Sequence, residues 1–154
     1  MTESNSIIQF PKETSNGAFK RQKSVFREFI QEDSKYIPEK ERYHLYLSYA
    51  CPWAHRTLIV IALKELESVI STSFVDPVRS EKGWQFGSNN SRYYDPINEF
   101  NYLMEAYKIM DTEYNMRVTV PVFGISKLNK SLTMNPQILS LCLIASSTNI
   151  QILN

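Results

Sequence analysis

The pattern of apolar and polar positions in the first half of the chain predicts a strand, a helix and a second strand. Residues 43–49 are densely aromatic and aliphatic, which is typical of a buried strand. Residues 52–67 carry apolar side chains at helical spacing after Pro52, a residue that suits the first helical position. Residues 69–75 predict the second strand. Such a βαβ unit predicts parallel pairing of the two strands, so the fold class is α/β.

The second half of the chain has a weaker pattern. Residues 77–96 are rich in Gly, Ser, Asn and Pro and predict a loop, whereas residues 98–110 have apolar side chains at helical spacing. Residues 118–123 form a β-branched strand pattern that contains Pro121. A proline inside a strand indicates either an edge position or a special peptide bond.

The composition of the chain argues against several functional classes. The chain has 154 residues, 17 basic against 16 acidic, and this balance argues against a dedicated nucleic-acid binder. Its apolar runs are too short for a membrane span, and its start does not have the pattern of a secretory signal. No metal-ligand spacing is visible, and the two histidines, His44 and His55, stand alone. With two cysteines, Cys51 and Cys142, the sequence predicts a protein of a reducing compartment, the cytoplasm.

Cys51 is the candidate reactive residue. It lies in the stretch "YACPWAHR", where the first predicted strand ends and the helix begins. Unpaired N–H groups and the positive end of the helix dipole favour a thiolate there, and the thiolate is the nucleophilic form. The alternative is a small, buried, inert side chain, which is the usual role of a lone cysteine.

The residue three positions after Cys51 indicates which thiol chemistry applies. A dithiol oxidoreductase has a second cysteine there, which resolves the mixed disulfide within the protein, but this chain has Ala54. A single thiol needs an external resolving thiol, and glutathione is the abundant one in a reducing compartment. The expected co-substrate is therefore glutathione, with no metal.

Four segments carry a resemblance to a known family: "NGAFKRQKSVFREFI", "RYHLYLSYACPWAHRTLIVIALKELESVIS", "EKGWQF" and "RVTVPV". They resemble the omega-like, Xi-class glutathione transferases, also called glutathionyl-hydroquinone reductases. The resemblance runs from about residue 17 to Val122 and diverges between about 87 and 100. It implies a thioredoxin-like N-terminal domain, which in this family precedes an all-helical C-terminal domain.

The resemblance also implies site residues. Cys51 resembles the family's catalytic thiolate, which takes the glutathionyl group from a glutathionylated hydroquinone or a mixed disulfide. Trp84 resembles the tryptophan that lines the glutathione and aromatic-substrate site, although ordinary core packing is its alternative role. Val120 resembles the residue whose backbone pairs with the cysteinyl group of glutathione, and Pro121 resembles the cis-proline that exposes this backbone. The implied partners are glutathione and a small aromatic or disulfide substrate.

The tail departs from the family pattern. Family members continue after Val-Pro-Val with Leu-Trp-Asp and later Val-Asn-Asn-Glu-Ser, where the Glu-Ser pair holds the γ-glutamyl end of glutathione. This chain has Phe123-Gly124-Ile125 and, later, the run from Ser131 to Pro136. With suitable codons, TTT GGG AT and TCG TTA ACA ATG AAT CC, reading from the third base recovers Trp-Asp and Val-Asn-Asn-Glu-Ser. We interpret residues from about Phe123 onward as the product of a shifted reading frame.

This interpretation predicts three parts: an N-terminal arm at residues 1–40, a thioredoxin-like domain at 41–123 and an aberrant tail at 124–154. The glutathione clamp, the helical domain and the family's dimerisation are expected to be lost, and Cys142 is expected to have no role. The first functional hypothesis is therefore a monothiol glutathione transferase or reductase by lineage. The alternatives are an inactive thioredoxin-like remnant or protein-binding module, and a stand-alone glutaredoxin-like exchanger. Trp53 in the Cys-Pro-Trp-Ala motif disfavours the last of these, because glutaredoxins usually carry tyrosine or phenylalanine there.

Overall fold

The computed structural model describes residues 14–15, 18–19, 30, 33–88, 91–125 and 151–152. Most of the predicted arm, Cys142 and most of the predicted tail lie outside the described residues. The described part contains a four-stranded sheet and two helices, together with a two-stranded ribbon formed by β1 (Thr14–Ser15) and β2 (Ala18–Phe19).

The predicted βαβ unit is confirmed. Strand β3 (Tyr43–Leu47) leads through helix α1 (Pro52–Leu63) to strand β4 (Ser71–Phe74). Strands β3 and β4 pair in parallel, with His44 opposite Ser71. All five residues of β3 are buried, as expected for a central strand whose two faces are both covered.

Helix α1 is shorter than the predicted 52–67. It ends at Leu63, and Glu65 has a left-handed φ of 53°. The backbone N–H of Leu66 then bonds to the carbonyl of Ile61 at 3.0 Å, which turns the chain and buries Leu66 in the core. The apolar period continues past Leu63 because Leu66 is a core residue, and this continuation made the predicted helix too long.

Strand β5 (Val122–Ile125) pairs antiparallel with β3, with Phe123 opposite Leu45. It begins later than the predicted 118–123, because the backbone before Val122 has a side-chain partner. The Tyr107 hydroxyl donates to the Thr119 carbonyl at 2.9 Å. The predicted cis bond between Val120 and Pro121 is confirmed.

Helix α2 (Leu103–Met110) is also shorter than the predicted 98–110. The carboxylate of buried Asp95 accepts the backbone N–H groups of Ile97 and Phe100 at 3.1 and 3.4 Å. These bonds hold residues 95–100 in a turn, so the helix begins only after Tyr102. Glu105 then accepts the backbone N–H of Tyr102 at 2.8 Å and caps the first turn.

Strand β6 (Gln151–Ile152) forms the edge of the sheet and pairs in parallel with β5. The sheet order is β4-β3-β5-β6. Strand β5 thus continues to Ile125, two residues beyond the predicted end of the thioredoxin-like domain, and a segment of the predicted tail pairs with it.

Two apolar cores lie on opposite faces of the sheet. Alternate β3 residues point to opposite sides: Leu45 and Leu47 belong to one core with α1, and Tyr46 belongs to the other with α2. Cys51 is the partly buried residue that packs against both cores. The start of α1 therefore lies where the two cores meet at one end of the sheet.

His44 lies on β3 and is fully buried. Its Nδ1 is 2.7 Å from the Ser71 hydroxyl, and its ring packs edge-on against Tyr46 with centroids 4.7 Å apart. Within the described part of the chain, Nε2 has no hydrogen-bond partner. Burial lowers the pKa of His44 to about 4, because the charged imidazolium would be desolvated.

We expect acid to destabilise the fold through His44. Its pKa falls from 6.5 to about 4 on folding, so the unfolded chain binds the proton more tightly. The stabilising contribution is complete above pH 6.5 and is lost as the pH falls towards 4, at a cost of about 3 kcal/mol. Burial raises the pKa of Asp95, which opposes this trend at the acidic end of the range.

Urea unfolding of the wild type and of His44→Phe between pH 7.5 and 4.5 isolates this contribution. The variant should show a flatter dependence of the free energy of unfolding on pH. His55→Gln is the matched control, because it removes an imidazole from the exposed side of α1. Equal slopes for His44→Phe and the wild type would show that His44 is not the group responsible.

Candidate active site

Cys51 is the N-cap residue of α1, directly before Pro52. Its backbone N–H bonds to the Ser48 carbonyl at 3.1 Å, and its own carbonyl accepts the N–H of His55 at 3.1 Å. The side chain makes no capping bond to the helix and is half-buried. The backbone thus fixes Cys51 while its sulfur is left for other contacts, and the predicted position at the start of the helix is confirmed.

Val120 meets Cys51 across the end of the sheet. The Sγ of Cys51 donates to the Val120 carbonyl oxygen at 3.4 Å, although 69 positions separate the two residues. Pro121 follows in the cis conformation and is buried. The structure therefore brings together three of the four residues singled out from the sequence: Cys51, Val120 and Pro121.

Trp84 belongs to the apolar core that also contains Val120 and that Cys51 contacts. Only 8% of its surface is exposed, so most of the ring packs against other core residues. The guanidinium of Arg79 lies 4.9 Å from the ring centroid. Trp84 shares the core behind the thiol, and its role towards a ligand stays a prediction.

Two exposed aromatic side chains that were not predicted as site residues lie on either side of Cys51 in the chain. Tyr49 is 55% exposed and Trp53 is 38% exposed, each two positions from the cysteine. The Arg56 guanidinium lies 3.9 Å from the Trp53 ring centroid, and that of Arg92 lies 5.3 Å from the Tyr49 ring. The spacing of the two aromatics, each two positions from Cys51, could have indicated them from the sequence. Arg92 belongs to a loop that is distant in the sequence, and no sequence pattern indicated it.

A buried polar network attaches this loop to β3. The Tyr46 hydroxyl donates to the Asp95 carboxylate at 3.4 Å and accepts from the Asn98 side-chain amide at 2.6 Å. Burial and the Asp95 charge raise the pKa of Tyr46, so the phenol remains a donor. Because Asp95 also organises the 95–100 turn, this network fixes the segment that follows Arg92.

Within the described ranges, no group of three or more His, Cys, Asp or Glu side chains is placed to hold a metal ion. In the same part of the chain, neither helix has the length and apolarity to cross a membrane.

Known proteins are similar in sequence to this chain over part of their length. The chain is 51% identical over 117 residues to glutathione S-transferase omega-like 2 of Schizosaccharomyces pombe, covering 75% of this chain and 37% of the relative. It is 42% identical over 135 residues to glutathionyl-hydroquinone reductase YqjG of Escherichia coli, covering 79% of this chain and 40% of the relative. The chain thus spans about two fifths of the length of these relatives. No protein-family model matches it.

Solved structures share the fold. The Xi glutathione transferase of Phanerochaete chrysosporium superposes with a TM-score of 0.67 at 38% identity, over 81% of this chain and 40% of that one. The Xi transferase ECM4 of Saccharomyces cerevisiae, solved in complex with glutathione, superposes with a TM-score of 0.67 at 34% identity, over 86% of this chain and 47% of that one. By sequence and by fold, the chain is therefore homologous to the omega-like, Xi-class glutathione transferases and glutathionyl-hydroquinone reductases, over a portion consistent with their N-terminal part.

Proposed function

We propose that this chain carries the thiol centre of a glutathione-dependent transferase or reductase, with Cys51 as its single nucleophile. The observation that carries the proposal is the placement of Cys51 at the start of α1, with its sulfur 3.4 Å from the Val120 carbonyl. The position three residues on is Ala54, so no second thiol stands there to resolve a mixed disulfide. The names of the homologues support glutathione as the partner.

In the first step, the Cys51 thiolate attacks the glutathione sulfur of a glutathionyl-hydroquinone. A sulfur–sulfur bond forms, the sulfur–aryl bond breaks, and the aryl carbon takes a proton to release the hydroquinone. A mixed disulfide substrate would react in the same way, with a thiolate as the leaving group. Both routes leave glutathione attached to Cys51.

In the second step, the thiolate of a free glutathione attacks the glutathione sulfur of this mixed disulfide. Oxidised glutathione leaves and the Cys51 thiolate is restored. The overall reaction consumes one glutathionyl-hydroquinone and one glutathione, and it yields one hydroquinone and one oxidised glutathione. The requirement for abundant reduced glutathione is the reason to propose a cytoplasmic location.

The first half-reaction is the most direct test. With the chain in excess over a glutathionyl-hydroquinone and without free glutathione, we expect one hydroquinone released for each Cys51 that gains a glutathionyl group. Chromatography measures the hydroquinone, and peptide mass spectrometry locates the adduct, so that Cys51 and Cys142 are read separately. Release of hydroquinone with no adduct on Cys51 would exclude the covalent mechanism.

The rival proposal is a non-catalytic remnant or protein-binding module. It is favoured by the sequence at 131–136, which lacks the Glu-Ser pair that the family resemblance places after the strand. On this view the thiol centre is assembled but glutathione is held too weakly for turnover. The two proposals differ in the second step, so the half-reaction and steady-state turnover need to be measured separately.

A further inference from the structure

A three-layer stack holds the guanidinium of Arg92 beside the loop that carries Cys51. The ring of Tyr49 lies parallel to that of Phe74, with centroids 4.1 Å apart and an angle of 3° between the planes. Arg92 approaches the same tyrosine at 5.3 Å and the ring of Tyr93 at 5.5 Å. An exposed arginine is ordinarily mobile, but here the charge lies within cation–π distance of two aromatic rings, and one of them, Tyr49, is itself stacked on Phe74.

This charge has no acidic partner in the described part of the chain. The two ion pairs there join Lys40 to Glu41 and Arg42 to Glu39, and neither involves Arg92. Arg56, on the other side of Cys51, likewise pairs with no carboxylate among the described residues and lies on the Trp53 ring. The first turn of α1 contains no acidic residue. Two guanidinium groups therefore lie on the aromatic side chains that precede and follow Cys51 in the chain, and neither forms an ion pair with a carboxylate of the described residues.

Arg92 and Cys51 lie at the same end of the sheet. Tyr49 follows the end of β3 and Phe74 ends β4, so their stack forms at the carboxyl ends of two parallel strands. Cys51 follows Tyr49 by two positions, and two residues span at most about 7 Å. A guanidinium is a planar fork of donors suited to a carboxylate, and its unpaired charge favours an anion.

We propose that Arg92 is a specificity-determining residue that receives a carboxylate of the molecule reacting with Cys51. The consequence is a preference of the thiol for negatively charged reaction partners over neutral ones of the same size. The inference adds a preference for charge to the proposed function. It rests on one part of that function, the reactivity of the Cys51 thiol.

Two alkylating reagents of nearly equal size test this preference. Iodoacetate is anionic and iodoacetamide is neutral, and with both the Cys51 sulfur forms a bond to the CH₂ carbon while iodide leaves. The ratio of the two rate constants at Cys51 measures the charge preference, independently of the intrinsic reactivity of the thiol. We expect Arg92→Gln to lower this ratio by about two- to five-fold at low salt, and added salt to shrink the difference.

Further variants separate charge from fold. Tyr49→Leu removes the aromatic platform without changing the net charge and should also lower the ratio. Arg92→Lys keeps the charge and should retain part of the preference. Lys64→Gln removes a positive charge just beyond the opposite end of α1, about 18 Å along the helix axis, and should leave the ratio unchanged.

The outcomes distinguish this inference from the proposed function. If Arg92→Gln and the wild type give the same ratio, Arg92 does not select the charge of the reaction partner, whatever the activity of Cys51. If iodoacetamide fails to modify Cys51 in the wild type, the proposed nucleophile fails first. Peptide mass spectrometry assigns the rates to Cys51, and circular dichroism verifies that each variant is folded.

Discussion

Cys51→Ala should abolish glutathione-dependent thiol transfer by this chain. The substitution removes the sulfur that lies 3.4 Å from the Val120 carbonyl at the start of α1. The loss should be complete, because neither a general base nor an oxyanion site can replace a nucleophile that forms the covalent intermediate. Release of thiol from a glutathionylated substrate, measured at high protein concentration, would fall to the uncatalysed rate.

Cys142→Ala is the matched control for this experiment. It removes the only other cysteine of the chain and should leave thiol transfer unchanged. Cys51→Ala is expected to keep the fold, because alanine retains the Cβ of the half-buried Cys51. Residual transfer in Cys51→Ala that disappears when Cys142 is also replaced would assign the chemistry to the wrong cysteine.

The βαβ unit could be predicted from the sequence because its signals are local. Strand β3 is apolar on both faces, and Pro52 marks the first turn of α1. These signals also placed Cys51 at the start of the helix, and the proline of the third strand suggested a special bond that the structure has in cis. Local structure that depends on neighbouring residues in the chain could therefore be predicted from the sequence.

The remaining boundaries depend on side chains that are distant in the sequence. The Tyr107 hydroxyl donates a hydrogen bond to the Thr119 carbonyl, and the strand starts only at Val122. The Asp95 carboxylate accepts backbone N–H groups and holds a turn before α2. The periodicity of the sequence does not predict such hydrogen bonds. In the same way, Arg92 reaches Tyr49 from a loop whose path the sequence does not define. Tertiary hydrogen bonds and loop geometry account for these differences.

Restoring the reading frame near the codon of Phe123 should raise turnover at subsaturating glutathione at least tens-fold. The family resemblance implies that glutathione is held by the backbone at Val120 and by a Glu-Ser pair, and residues 131–136 of this chain lack that pair. Hydrogen bonds to a charged group are worth roughly 1.5–3 kcal/mol each, so the loss of two corresponds to at least tens-fold in affinity. The increase should appear mainly as a lower KM for glutathione.

The structure adds a constraint on this repair. Phe123 is buried beneath the α1 layer and packs edge-on against Tyr43, so an apolar residue is required at that position. Inserting one base before TTT would supply a leucine there and would place a tryptophan at the position of Gly124. A Cβ at Gly124 would lie 3.1 Å from the Tyr46 ring, so Tyr46 must shift by a few tenths of an ångström. The repair therefore requires the Tyr46 ring to move, because even the Cβ of the tryptophan would meet this ring closely.

Three proteins assayed side by side decide the role of the tail: the present chain, the frame-restored chain and a restored chain with the Glu-Ser pair replaced by alanines. The iodoacetamide rate at Cys51 should be similar in all three, because the start of α1 is unchanged. Turnover of a glutathionyl-hydroquinone should rise in the second protein and fall back in the third, which would attribute the gain to binding of glutathione. Comparable turnover by the present and restored chains would contradict the frameshift interpretation, because residues 124–154 would then sustain catalysis as they stand.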